Sequence, residues 1–494
     1  MPSFVRLPSI LTLLGVLTLG SLSGCASTAH ARGDDAVLEM HQAFRKGERQ
    51  RLAALLPQVQ GHTLEPLAAY WELRNRLDTA SEAEVQQFFT RYAGTYYEDR
   101  LRNDWLLQLG RRRDWSAIAV EYPKYRMQDD REARCYALAA DGVLSKRDVA
   151  QEALRLWHAQ READDGCTWL AEHLHSGKKI NGLDLWRKAR LAMDANKPKA
   201  AKDAVDIEAP RLSEQVALIF NDPAKYLDKR IVAVTRNRKE LAVLALIRLA
   251  ASDPDAAAQL LDKRWGLMLT SEEKNWTWGV IGKQAAFKLQ DNASAYFAKV
   301  HKDSDLSDEL LIWKIRAALR AGQWRQVLGA TEAMSPDAQK DPAWVYWRAR
   351  ALLATASSDT QRLQAQDLLR SIASVRGFYE QLALEELGQS IVVPLAPAPL
   401  SASEKAQALA NPGLQRALHA IQIGLRPEGN REWNYTTNLH TPGGMGEREL
   451  LAAADLACQR QVWDRCINTS ERTKGVIDFE QRFPMPLREI VVRR

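Results

Sequence analysis

From Asp34 to about Gly388, apolar residues recur at three- and four-residue spacing, interrupted by short polar or Gly/Pro stretches. That period draws one apolar stripe along a helix, and the Ala, Leu, Glu, Lys and Arg that fill these windows are strong helix formers. No alternating strand pattern emerges. The segment "DELLIWKIRAALRAGQWRQVLGATEAM" (308–334) shows the unit: a helix, a turn at Ala321, Gly322 and Gln323, then a second helix. The following "DPAWVYWRARALLATA" places Asp341 where an N-cap belongs and Pro342 in the first turn. The pattern predicts an all-α chain built of helix pairs.

A loose repeat lies within that pattern. Trp-x-x-Arg occurs at Trp71/Arg74, Trp313/Arg316 and Trp347/Arg350, and the last two copies are about 34 residues apart, the tetratricopeptide period. Because the copies diverge, the expected architecture is an irregular α-superhelix. Two roles are open to the tryptophans: wedges at helix-pair seams with the arginine stacked beside them, or platforms on which a sugar ring stacks. The pattern breaks at "SIVVPLAPAPLSASEKAQALANPG" (390–413), where Pro394, Pro397 and Pro399 make a stiff linker. A smaller helical unit resumes near Ser403 and runs to about Phe479. It includes the glycine-rich "GGMGE" (443–447), read as a connector.

Composition narrows the class. Hydrophobic residues at 46% and charged residues at 26% are ordinary globular usage and exclude global disorder. A net charge of +6 is too mild to imply nucleic acid, although it suits a polyanion such as a carboxylate-rich cell wall. Basic runs at 109–115, 176–190 and 225–240 offer either an anion-binding surface or ordinary solvated helix faces. No P-loop, dinucleotide fingerprint, nucleophile elbow or H-E-x-x-H is present. His173 and His175, two apart on a helical stretch, point to different faces and make a poor metal pair. No cofactor and no metal site are expected.

The first 31 residues have the form of an export signal: Arg6, then the apolar "LPSILTLLGVLTLGSL", too short for a lasting span. Two processing readings compete. "LSGC" resembles a lipobox that would place lipid on Cys25, and "AHA" (29–31) offers a small-x-small site. Both imply export. Four further cysteines, Cys135, Cys167, Cys458 and Cys466, then read either as two disulfides or as four buried thiols. Proximity favours Cys135–Cys167 and Cys458–Cys466.

Three segments resemble the soluble lytic murein transglycosylases of Gram-negative bacteria. They are "AFRKGERQRLAALLPQVQGHTLEPLAAYWELRNRL" (43–77), "GFYEQLALEELGQ" (377–389) and "CINTSERTKGVIDFEQRFPMPLREIV" (466–491). The resemblance implies a signal peptide over 1–31 and a superhelical U-shaped domain over 32–390. It further implies a Pro-rich linker over 391–402 and a small helical linker domain over 403–494. It also implies a periplasmic protein, soluble or held at the outer membrane through Cys25. Its expected partners are peptidoglycan glycan strands and other cell-wall proteins, not nucleic acid.

That family cleaves glycan strands without water, leaving 1,6-anhydromuramyl ends, through one glutamate in a Glu-Ser-x-Phe motif that precedes a Gly-Leu-Met-Gln motif. Neither motif occurs here. "RFPMPLREIVVRR" (482–494) is therefore expected to be the hinge to a catalytic domain outside this chain, and no residue here inherits the catalytic role. The competing expectation is a non-enzymatic α-solenoid scaffold or lipoprotein that binds proteins or peptidoglycan.

Overall fold

The computed structural model describes residues 22–228, 235–437, 444–487 and 491–492, and every regular element among them is a helix. Residues 1–21 and the side chain of Cys25 lie outside the described residues, as do 229–234, 438–443, 488–490 and 493–494. No described helix is long and apolar enough to cross a membrane.

The predicted pair at 308–334 shows how sequence becomes element. Ser307 caps the helix Asp308–Arg320 by accepting from the Leu310 N–H. Leu310, Leu311, Ile315 and Ala318 form its buried stripe, while Glu309 and Arg320 face water. The helix ends where Gly322 takes φ +68°, and the Gln323 N–H donates back to the Ala318 carbonyl at 2.8 Å. This is the left-handed exit that glycine makes without steric cost. The partner helix Trp324–Ala333 follows, and Asp341 then caps Pro342–Thr355 by accepting from the Ala343 N–H at 2.8 Å.

The chain divides into two compact units. One comprises 113–119 and 131–395 and is a solenoid in which each pair packs on its neighbour. Gly182–Asp194 packs on Arg236–Ser252, which packs on Ser271–Phe287, which packs on Asp308–Arg320; Trp324–Ala333, Pro342–Thr355 and Asp359–Ile372 continue the stack. A single core runs through much of it, with Trp186, Trp265, Leu244, Ile281 and Leu311 fully buried. Each large apolar side chain so buried contributes roughly 1.5–3 kcal/mol.

The other unit comprises 1–112, 120–130 and 396–494. Helices Leu22–Lys46, Glu65–Asn75 and Tyr96–Arg111 share it with Pro412–Gln422, Arg426–Thr436, Glu447–Gln459 and Trp463–Ser470. The Tyr96 ring meets Tyr435 edge-on at 5.7 Å. Gly429 is needed where two helices nearly touch, because a Cβ there would fall 2.5 Å from the Ala417 carbonyl oxygen. The buried Trp433 Nε1–H donates to Thr469 Oγ1 at 2.8 Å, so its polar atom is satisfied inside the core.

Candidate functional site

The three Trp-x-x-Arg copies have different fates. In the solenoid, Trp313 and Arg316 sit one turn apart on Asp308–Arg320, with the guanidinium carbon 4.8 Å from the indole centroid. Trp313 is half-buried and lines a cavity of about 350 Å³ together with Leu289, Ala293 and Arg316. Phe287 and Leu289 stand at its rim, 68% and 71% exposed, and Phe287 meets Trp313 edge-on at 5.8 Å. Leu289 holds φ +58°, a conformation that costs a non-glycine residue free energy and clusters at functional places. Arg320 is tied to Asp291 at 3.1 Å and to the Leu289 carbonyl at 3.0 Å. Among the described residues, Arg316 has no carboxylate within ion-pair distance.

The copy 34 residues on is closed. Arg350 pairs with Glu386 and donates to the Tyr346 hydroxyl, while Trp347 packs edge-on against Tyr379 at 6.4 Å. It serves as a seam. The first copy, in the other unit, opens on a cavity of about 440 Å³ bordered by Trp71, Arg74, Tyr96, Arg100 and Arg431. The seam reading therefore describes Trp347, whereas Trp313 and Trp71 border cavities.

Several charges of the basic runs are spent inside the fold. In the run at 176–190, Lys188 is 2% exposed, donating to the Trp157 and Gln160 carbonyls at 2.6 and 2.7 Å. Burial, only partly opposed by the charge of Asp164, pulls its pKa down to about 8. Arg190, fully buried, forks onto Glu240 at 2.7 and 2.9 Å and onto Glu272 at 2.9 Å. In the run at 109–115, Arg113 pairs with Asp165 at 2.5 Å and lies over Trp169. Part of the third run lies outside the described residues.

The cysteines occupy adjacent helices. Cys135 and Cys167 are disulfide-bonded with Cα atoms 5.0 Å apart, and Cys458 and Cys466 with Cα atoms 5.1 Å apart. His173 stacks flat on Trp169 at 5.0 Å, and His175 lies 3.4 Å from Glu208. The two histidines thus take separate structural partners.

One cluster carries no signal in the sequence. Asp34, His62 and His419 bring their side-chain donors within 4.8 Å of one another, although the outer two lie 385 positions apart. Both imidazole Nε2 atoms bond Asp34 Oδ1, at 3.1 Å from His62 and 2.5 Å from His419. Two imidazoles and a carboxylate are a donor set known for small metal centres. Here, however, the Leu64 N–H donates to Nδ1 of His62 at 3.1 Å, which leaves Nε2 as that ring's proton-bearing nitrogen. A metal on Nε2 would require the proton on Nδ1 and break this bond. The arrangement is a carboxylate shared by two N–H donors. A Cβ on Gly33 would fall 2.7 Å from the His62 ring, so this glycine is what seats the imidazole.

An all-α, superhelical protein with two open tryptophan–arginine clefts is the class these observations define. No family model matches the chain. Curated proteins named soluble lytic murein transglycosylase do match it. That of Salmonella typhimurium (strain LT2) is 22% identical over 464 residues, covering 92% of this chain and 70% of the relative. That of Escherichia coli (strain K12) is 21% identical over 487 residues, covering 97% and 73%. Among solved structures, an inactive mutant of lytic transglycosylase Slt from Pseudomonas aeruginosa superposes with a TM-score of 0.59 at 25% identity, over 93% of this chain and 74% of that one. The 70-kDa soluble lytic transglycosylase of Escherichia coli gives 0.53 at 18% identity, over 93% and 74%. A 70-kDa soluble lytic transglycosylase in complex with bulgecin A gives 0.52 at 19%, again over 93% and 74%. Over most of its length the chain is similar to these soluble lytic murein transglycosylases.

Proposed function

We propose that this protein binds peptidoglycan glycan strands in the bacterial envelope, with the Trp313–Arg316 cleft as a contact for the sugar. The observation that carries the reading is the half-buried Trp313 with exposed Phe287 and Leu289 beside it and a guanidinium without a carboxylate partner among the described residues. An aromatic face takes the apolar face of a pyranose, and a guanidinium donates to its hydroxyl or carboxylate oxygens. The murein relatives supply the substrate class. No residue of this chain is assigned the bond-cleaving role, because neither transglycosylase motif occurs in its 494 residues.

We read the apolar leader as an export signal to the periplasm, the protein being soluble there or anchored at the outer membrane through Cys25, and the paired cysteines suit that oxidising compartment. The domain limits we propose are those read from the sequence: a superhelical domain to about 390, a linker to 402, and a helical linker domain beyond. A scaffold that binds proteins is the second reading, favoured by the exposed extended run of Val392, Val393 and Leu395.

Co-sedimentation with purified sacculi tests the first reading. The wild-type chain should pellet with sacculi, Trp313→Ala should remain largely in the supernatant, and no anhydromuropeptide should be released. Equal pelleting of the two, or no pelleting of either, overturns the assignment. Fractionation of cells expressing Cys25→Ser tests the anchor: the variant should leave the membrane fraction, and a wild type already soluble would end that part of the reading.

A further inference from the structure

The cleft around the first Trp-x-x-Arg copy has a charge arrangement that the sugar-stacking reading does not use. Helix Glu65–Asn75 supplies Tyr70, Trp71 and Arg74; helix Tyr96–Arg111 supplies Tyr96 and Arg100; helix Arg426–Thr436 supplies Glu428 and Arg431. Buried rings floor the cavity, with Trp71 at 2% and Tyr96 at 8% exposed, so the arginine rim and not an open aromatic face meets a ligand.

The charges at that rim do not balance. Asp104 is buried at the base and is shared three ways: the Tyr70 hydroxyl donates to it at 2.8 Å, Arg74 Nε lies 3.0 Å away and Arg100 Nη2 3.9 Å away. Glu428, the other carboxylate, stands 4.0 Å from His41. Among the described residues no carboxylate lies within ion-pair distance of Arg431, which is exposed. Three guanidiniums thus face two carboxylates, one of which is sunk beneath the floor and already carries three partners. The remaining positive charge sits on planar forks whose geometry matches a carboxylate.

We propose that this cleft binds a ligand carboxylate, with Arg100 and Arg431 as its clamp, and that the ligand is the peptide stem of peptidoglycan. The identity of the ligand rests on the peptidoglycan reading above; the carboxylate site itself does not. In a stem-bearing strand the lactyl carboxyl of muramic acid is consumed in an amide bond, so the free carboxylates belong to the peptide. A cavity of about 440 Å³ holds a short peptide segment with its side chain. The site is therefore a second contact, in a different unit and of different chemistry from the Trp313 cleft.

Isothermal titration of the full chain with three probes tests this: a muramyl dipeptide, N-acetylmuramic acid and a chitooligosaccharide without carboxylate. The dipeptide should bind tightest, weaken at least tenfold in Arg431→Ala, weaken with added salt, and be indifferent to Trp313→Ala. Arg431 is exposed, so its variant should retain the wild-type unfolding midpoint, and Arg100→Gln provides an independent second variant. Dipeptide binding no better than the chitooligosaccharide, or unaffected by both arginine variants, overturns the proposal. Equal binding of N-acetylmuramic acid and the dipeptide overturns the stem assignment and moves the carboxylate to the lactyl group. If sacculi are bound but the dipeptide is not, this inference falls and the glycan reading stands. If the dipeptide binds through Arg431 while Trp313→Ala has no effect on sacculi, the reverse holds.

Discussion

Arg316 lies over Trp313 on the same helix face, 4.8 Å from the ring centroid, with no carboxylate to hold it among the described residues. The equivalent arginine 34 residues on, Arg350, is held by Glu386. This difference in partners, not the motif, separates an open cleft from a seam.

The open cleft should be separable from stability. Arg316 is exposed, so Arg316→Ala should change the unfolding free energy by less than about 0.5 kcal/mol. The same substitution should weaken binding of glycan fragments by several-fold, as expected for a cation and ring acting together at about 0.5–1 kcal/mol. Urea unfolding and fluorescence titration on one preparation read both. A large loss of stability with no loss of binding would make Arg316 structural.

The helix pairs, their caps and the left-handed turn at Gly322 were legible because each is written locally, in spacing of three and four and in turn chemistry. The fate of each Trp-x-x-Arg copy was not, since it depends on what the neighbouring helix brings: Ala286 and Ala293 beside Trp313, but Tyr379 and Glu386 beside Trp347 and Arg350. Charge runs misled for a related reason. Composition counts Lys188 and Arg190 as surface charge, whereas the solenoid closes over both. The Asp34, His62 and His419 cluster joins residues from both ends of the sequence, and no spacing rule reaches that far.

The bond between Cys135 and Cys167 closes a loop across a sequence separation of 32. In the chain-entropy account a loop of that length restricts the unfolded chain enough to stabilise the fold by about 3–4 kcal/mol. Reduction, or the Cys135→Ser/Cys167→Ser double variant, should lower the urea midpoint accordingly. A loss below about 1 kcal/mol would mean that packing of the two helices already fixes this region.

Arg190 should be costly to remove. Its guanidinium is fully buried, and it is the counter-charge for Glu240, whose side chain is 1% exposed and whose pKa is raised by burial. Arg190→Met leaves that carboxylate unpaired in the core and should destabilise by about 3–5 kcal/mol. The double variant Arg190→Met/Glu240→Met should recover much of the loss, because it removes the stranded charge as well. A double variant no better than the single one would refute the electrostatic explanation.

Lys188 gives the fold a signature in pH. Its amine is buried against two carbonyls, with its pKa pulled down to about 8 from an ordinary value near 10.5. Between those values the folded chain has released the proton and the unfolded chain still binds it. The unfolded state thus holds more protons, and stability rises with pH across that window. Below pH 8 both states are protonated and the charged amine remains a burden on the fold. Lys188→Met lacks this titration, while the buried tyrosines that ionise at higher pH are common to both proteins and cancel in the difference. From pH 8 to pH 10.5, wild-type stability relative to Lys188→Met should therefore climb by about 1–3 kcal/mol and then level off. Urea unfolding of the two proteins at half-unit steps measures the difference directly. A flat difference would mean that the amine keeps its proton in the core, held by the Trp157 and Gln160 carbonyls.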